Sequence, residues 1–231
     1  MNLVLVDFRK VASPWNKAML GFRRIFSAGI WGLTLLSANL LSAFPVPVDP
    51  APRLERSVES VLDLLYPEPS AETEQSAIQL EQIILAELSA QYNLDIIIRR
   101  SLGRNWNKID SVHRSKILEL IKQLVVRAYV EGMKGRSRPS VQFKATEFLS
   151  DKRSEVPTQV NFDEFEVSLN YRLGWTGGRW EIFDLVIENI SIAVNYRNQF
   201  DAFFANSDSL ALIQKLERLL TDENLGKALD F

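Results

Sequence analysis

Between Phe165 and Leu173 apolar and polar side chains alternate, with Phe165, Val167, Leu169, Tyr171 and Leu173 in one set and Glu166, Ser168, Asn170 and Arg172 in the other. A period of two places each set on its own face of a β-strand, one toward a core and one toward water. Thr176-Gly177-Gly178 follows, and its glycines accept the positive φ of a tight reversal. Residues 179–188 return as a second strand whose alternating sets, Trp180, Ile182 and Val186 against Phe183, Leu185 and Ile187, are both apolar. Both of its faces therefore need cover. A three-residue loop sets Tyr171 opposite Phe183 and Leu169 opposite Leu185, whereas a two-residue Gly-Gly loop sets them opposite Asp184 and Val186. The three-residue register is the expectation, because it keeps the Asp184 carboxylate away from Leu169 and Tyr171.

Elsewhere the spacing is helical. Leu54, Val58, Val61, Leu62 and Leu65 form one stripe that Pro67 and Pro69 end, and residues 71–90 carry a second, with Ser70 as its N-cap. Residues 93–100 predict a short helix closed by Gly103, and Asp110 precedes the longest helix, 111–132. Ile117, Leu118, Ile121, Leu124, Val125, Ala128 and Tyr129 share a face of that helix, and the sheet is its expected partner. Residues 140–148 and 156–162 predict two more strands, with Pro157 marking the latter as an edge or a strand entry. Ser191 can cap a helix reaching Ala205, and Ser207 with Asp208 can start a last one carrying Leu210, Ile213, Leu216 and Leu220. Helices precede the strands and follow them, which predicts an α+β fold: helices packed on a twisted four-stranded antiparallel sheet in a single domain, a cone of the NTF2-like or cystatin-like kind.

The N-terminal region reads as an address. Arg23 and Arg24 stand before an uncharged run from Ile25 to Leu41, and Ser42-Ala43 offers small residues for cleavage, so residues 1–43 predict a cleaved export signal, with Met19 as an alternative start. Residues 44–52 hold four prolines and predict a linker that is neither helix nor central strand. That leaves a domain at 53–222 and a tail at 223–231. The chain has no cysteine, which excludes disulfides, thiol catalysis and thiolate metal sites. Beyond residue 43 it carries 22 Lys and Arg against 28 Asp and Glu, an acidic balance that argues against nucleic acid as a partner. His113, the only histidine, cannot build an imidazole cluster, so no metal site is expected.

Three segments of the hairpin and the helix after it, LNYRL (169–173), GGRWEIFDLVIENISI (177–192) and VNYRNQF (194–200), resemble the C-terminal signature of the MlaC or toluene-tolerance family of periplasmic phospholipid-binding proteins. The run YNLDIIIRRSLGRNWNKIDSVHRSKILELIKQLVVRAYVEGM (92–133) resembles that family's central pattern. The resemblance implies a periplasmic carrier, monomeric and without cofactor, whose ligand is phospholipid acyl chains. It also implies handover between an inner-membrane ABC transporter complex and an outer-membrane lipoprotein complex. The pocket it implies is built from the hairpin and the next helix: Phe165, Val167, Leu169, Tyr171, Phe183, Leu185, Ile187, Tyr196 and Phe200. On their own, these residues favour a solid core, and it is the resemblance that turns the reading toward a pocket. Three other readings stay open, one of them a purely structural interaction domain with no cavity. A related carrier would take a hopanoid or another apolar lipid. An NTF2-like enzyme would use Asp184 or Glu188, four apart on one strand, as a base of raised pKa, whereas bonds to Arg172, Arg197 or backbone amides would make both carboxylates structural.

Overall fold

Helix α1 (Ala51–Leu65) begins inside the proline-rich stretch assigned above to a linker. Pro52 sits in the first turn, where an N–H would have no helical partner anyway, so the ring costs nothing there. The start is tied down from outside: Asp49 accepts from the Ala51 N–H at 3.0 Å and from the Thr146 hydroxyl. The Trp180 indole N–H donates to the Val48 carbonyl at 2.7 Å, and Arg53 donates to the Trp180 carbonyl at 3.0 Å. The computed structural model describes residues 48–67, 76–163 and 165–222. The export signal, Met19, the first part of the linker, Ser70 and the tail lie outside the described residues.

Helix α2 (Ala77–Gln91) opens on a capping box between Ser76 and Gln79. Asn93 caps α3 (Leu94–Leu102), a 3-10 turn (Gly103–Lys108) follows, and α4 (Ser111–Met133) is the longest of the described helices. Gly103 ends α3 at φ +55°, and a Cβ built there would meet the Arg197 side chain at 3.0 Å, while Arg197 is itself bonded to the Arg100 carbonyl. Gly103→Ala is therefore expected to lower stability by about 1–3 kcal/mol, read as a lower urea midpoint.

The strands are β1 (Ser140–Phe143), β2 (Glu147–Ser150), β3 (Arg153–Asn161), β4 (Glu166–Thr176), β5 (Arg179–Ile187) and β6 (Ile190–Ser191). All described pairings are antiparallel, in the order β1-β3-β4-β5-β6, with β2 continuing the β1 side of β3. Six strands stand where four were expected, because the predicted strand 140–148 breaks into β1 and β2 and a two-residue β6 is added. The same break accommodates Pro157. That residue lies in an interior strand, not at an edge, and its carbonyl accepts from the Lys144 N–H at 2.9 Å. Its ring nitrogen points the same way, toward residues 144–146, where no ladder bond is needed.

The register of the central hairpin differs from the expected one. A two-residue turn pairs Thr176 with Arg179 and Leu173 with Ile182, and an irregularity then shifts the pairing so that Arg172 faces Asp184, Tyr171 faces Leu185 and Leu169 faces Ile187. Phe183 is the extra residue of this β-bulge. The shift puts Asp184 on the face away from Tyr171.

After β5, Glu188 and Asn189 take φ +47° and +66° to make the turn into β6. Ser191 then caps α5 (Ile192–Phe203), accepting from the Val194 N–H at 3.2 Å, and Asp208 caps α6 (Ser209–Thr221), accepting from the Ala211 N–H at 2.8 Å. Among the described residues, buried apolar side chains form three separate clusters. One joins α3, α4, α5 and α6 around Leu102, Ile117, Phe200 and Leu212. A second joins α1, Tyr92 and the sheet around Leu54, Val156, Leu173 and Trp180, and a third joins α1, α2 and α4 around Val61, Ile84 and Val126. The main partners of α4 are thus α6 and α2, and not the sheet as its stripe had suggested.

Candidate functional site

One face of the sheet carries Val156, Thr158 and Val160 of β3, Val167, Leu169, Tyr171 and Leu173 of β4, and Ile182, Leu185 and Ile187 of β5. Alternation in β4 and the bulge in β5 bring these side chains to the same side. At one end the face is sealed, where Leu54, Tyr92, Val156, Leu173 and Trp180 are each 5 % exposed or less. Farther along, Leu169, Tyr171 and Leu185 are only half-buried, and Leu169 and Leu185 belong to none of the three clusters.

Tyr171 carries the geometry furthest. Burial pushes its phenol well above the ordinary range, and nearby Tyr129 of α4 and Tyr92 push it further. Tyr129 is likewise half-buried, with its phenol raised to about 12, by burial first and Tyr66 second. Val125, one turn earlier on the same row of α4, is 49 % exposed. Tyr129 thus lies near Tyr171 of the sheet, while α4 makes its main contacts with α6 and α2.

The two candidate carboxylates are used otherwise. Asp184, 2 % exposed, accepts from the Ser191 hydroxyl at 2.7 Å and the Ala193 N–H at 3.0 Å, and pairs with Arg172 at 3.4 Å. Glu188 has left the strand for the turn, where it accepts from the Ser168 N–H at 2.6 Å. The two share no site, and each is held by bonds that fix backbone. Arg197, the other suggested partner, bonds the Arg100 carbonyl instead.

Residues 55–218 match the MlaC protein family. The chain belongs to the MlaC family. A phospholipid-binding protein from Ralstonia solanacearum, solved in complex with a phospholipid, shares the fold of this MlaC-family chain with a TM-score of 0.63 and 20% sequence identity, over 74% of this chain and 97% of that one. No curated protein matches in sequence.

In this MlaC-family fold the predicted site residues fall into four groups. Val167, Leu169, Tyr171, Leu185 and Ile187 share the face just described, with Val167 and Ile187 nearly sealed. Phe165 stands at the turn from β3 to β4, stacked on Phe162 with ring centroids 4.7 Å apart and with the Arg136 guanidinium 5.5 Å away. Phe200 is buried in the helical cluster, and Tyr196 packs against that cluster. Phe183 lies on the opposite face, where the bulge turns it toward Gly174 and Arg153. Sequence reasoning placed Tyr129 on the stripe of α4 that was expected to meet the sheet, but did not include it among the pocket residues.

The two phenols give a pH test. A raised folded pKa means that the folded chain holds the proton more tightly, so the contribution is complete below about pH 10, the unfolded value, and is lost as the pH climbs toward the folded one. Absorbance titration near 295 nm is expected to leave Tyr129 and Tyr171 un-ionised at pH 11, with stability falling between pH 10 and 12. Full ionisation of all five tyrosines by pH 11 without unfolding would contradict the buried setting.

Proposed function

We propose that this chain is a periplasmic phospholipid carrier whose acyl-chain slot lies between the sheet and α4. The observation carrying the reading is the unsealed apolar face at Leu169, Tyr171 and Leu185, which looks toward a helix whose main contacts are with other helices. Each methylene withdrawn from water contributes about 0.8 kcal/mol, so an apolar gap that the protein's own side chains leave open is a strong site for a hydrocarbon tail and a poor one for a polar substrate. Val167, Leu169, Tyr171, Leu185 and Ile187 line the slot, Tyr129 roofs it, and Phe165 stands at its end. Phe183 and Phe200 are left out of the set, since one faces away and the other is packed among helices.

Membership of the MlaC family and the phospholipid held by the Ralstonia solanacearum protein support this class of cargo. The carrier leaves the cytoplasm by the signal in residues 1–43 and works as a monomer without a cofactor. It passes lipid between an inner-membrane ABC transporter complex and an outer-membrane lipoprotein complex. Chemical extraction of the purified protein lacking residues 1–43, followed by mass spectrometry, tests the reading. A glycerophospholipid in stoichiometric amount is expected. A hopanoid as the extracted cargo, or delipidated protein that takes up no lipid from vesicles, would overturn it.

A further inference from the structure

The other face of the sheet holds a feature that acyl-chain binding does not use. The Phe183 ring, displaced by the bulge, has the Arg100 guanidinium 4.6 Å from its centroid and the Arg153 guanidinium 4.4 Å from it. With Arg172, Glu155 and Leu149 these residues line a cleft of about 330 Å³. Arg172 is engaged by Glu155 at 2.7 Å and by Asp184 at 3.4 Å. Among the described residues neither Arg100 nor Arg153 forms an ion pair. Burial lowers the Arg100 pKa, Asp184 opposes that, and Arg153, Arg197 and Arg172 add to it, so the surroundings of Arg100 are rich in positive charge. Three guanidiniums line this cleft, and the two carboxylates beside them both engage Arg172, in a chain that beyond residue 43 is acidic. The excess is local and has a specific address.

We propose that this cleft binds a phosphate group, with Arg100 and Arg153 as the direct donors and Arg172 as a wall fixed by its two carboxylates. A guanidinium lying over an aromatic ring keeps its edge N–H groups free and loses little further freedom when an anion arrives. Two such forks with no carboxylate of their own match a tetrahedral oxyanion of charge near -2, which accepts several charge-assisted hydrogen bonds at once. A carboxylate carries half that charge and one oxygen fewer, so it matches the pair less well. The sheet stands between this cleft and the acyl-chain slot, so the phosphate is not the headgroup of the lipid whose tails fill that slot. It belongs either to a soluble phosphate monoester or to a headgroup displayed by a bilayer.

Calorimetric titration of the full protein with sn-glycerol 3-phosphate, and co-sedimentation with phosphatidic acid vesicles against phosphatidylcholine vesicles, separate these two sources. Saturable binding of glycerol 3-phosphate, weakened at least tenfold by Arg153→Gln and by Arg100→Gln and unchanged by the distant Lys116→Gln, places a soluble ester in the cleft. Binding only to phosphatidic acid vesicles, with the same pattern among variants, places a bilayer headgroup there. Both arginines are exposed, so the variants should fold, and unchanged melting temperatures check that they do. Absence of binding to either probe, or binding that both substitutions leave intact, overturns the proposal. Neither probe needs the slot to be loaded, so this result and the lipid-extraction result fail independently.

Discussion

Asp184→Ala is expected to lower the stability of the folded chain by about 3 kcal/mol, seen as a large fall in the urea midpoint. The carboxylate is 2 % exposed and sits where β5 hands over to β6 and α5. Its removal leaves the Ala193 N–H without its acceptor in a residue that is fully buried. It also deprives the Ser191 hydroxyl of a partner and leaves Arg172 with Glu155 alone. An anion at the first turn of a helix is favoured as well. Asp184→Asn keeps one acceptor oxygen for Ala193 and should lose roughly half as much. Lipid content per folded chain should stay at the wild-type level in the Asn variant. If the Asn variant were as stable as wild type while abolishing a measurable turnover, the carboxylate would be catalytic after all.

Leu169→Trp should empty the slot without unfolding the chain. Leu169 is half-buried on β4, between Thr158 of β3 and Ile187 of β5, on the face where open surface remains. An indole there occupies volume that a tail would otherwise fill. Displacing as few as three methylenes forfeits about 2.4 kcal/mol, nearly two decades in affinity. Extracted lipid should fall to a small fraction of one per chain, with the thermal midpoint unchanged or raised, since the substitution fills space instead of opening it. Unchanged lipid content would place the tails elsewhere. A collapse in stability would mean that the face is already a packed core.

Much of the fold was legible because local chemistry decides it. The alternation from Phe165 to Leu173 gave β4, and Ser191 and Asp208 announced their helices, since a side-chain oxygen before an apolar stripe has few better uses than capping. What escaped needed two elements at once. Counting by twos along β5 assigned Phe183 to the face of Tyr171. The bulge that moves it exists because Asp184 gains Arg172, Ser191 and the Ala193 amide together, partners that no single strand reveals. The stripe on α4 foretold burial, but the sheet expected to cover it gives way to α6 and α2, because a stripe records apolarity and not the identity of its partner. Leu169, Tyr171 and Leu185 were readable as core-facing residues, while their incomplete cover is a property of the whole assembly. Tyr196 and Phe200 illustrate the same limit from the helix side, being drawn to a cluster of other helices.

The divided outer strand of the sheet bears on how copies of this chain behave toward one another. A regular edge of eight or nine residues would offer a stranger a continuous row of unsatisfied amides and carbonyls to dock on. Here β1 and β2 each present only four residues, with residues 144–146 parting them opposite Pro157. A second polypeptide trying to extend the sheet at this edge therefore finds two short stubs and no long template, which guards this side of a crowded protein against fibril-like stacking.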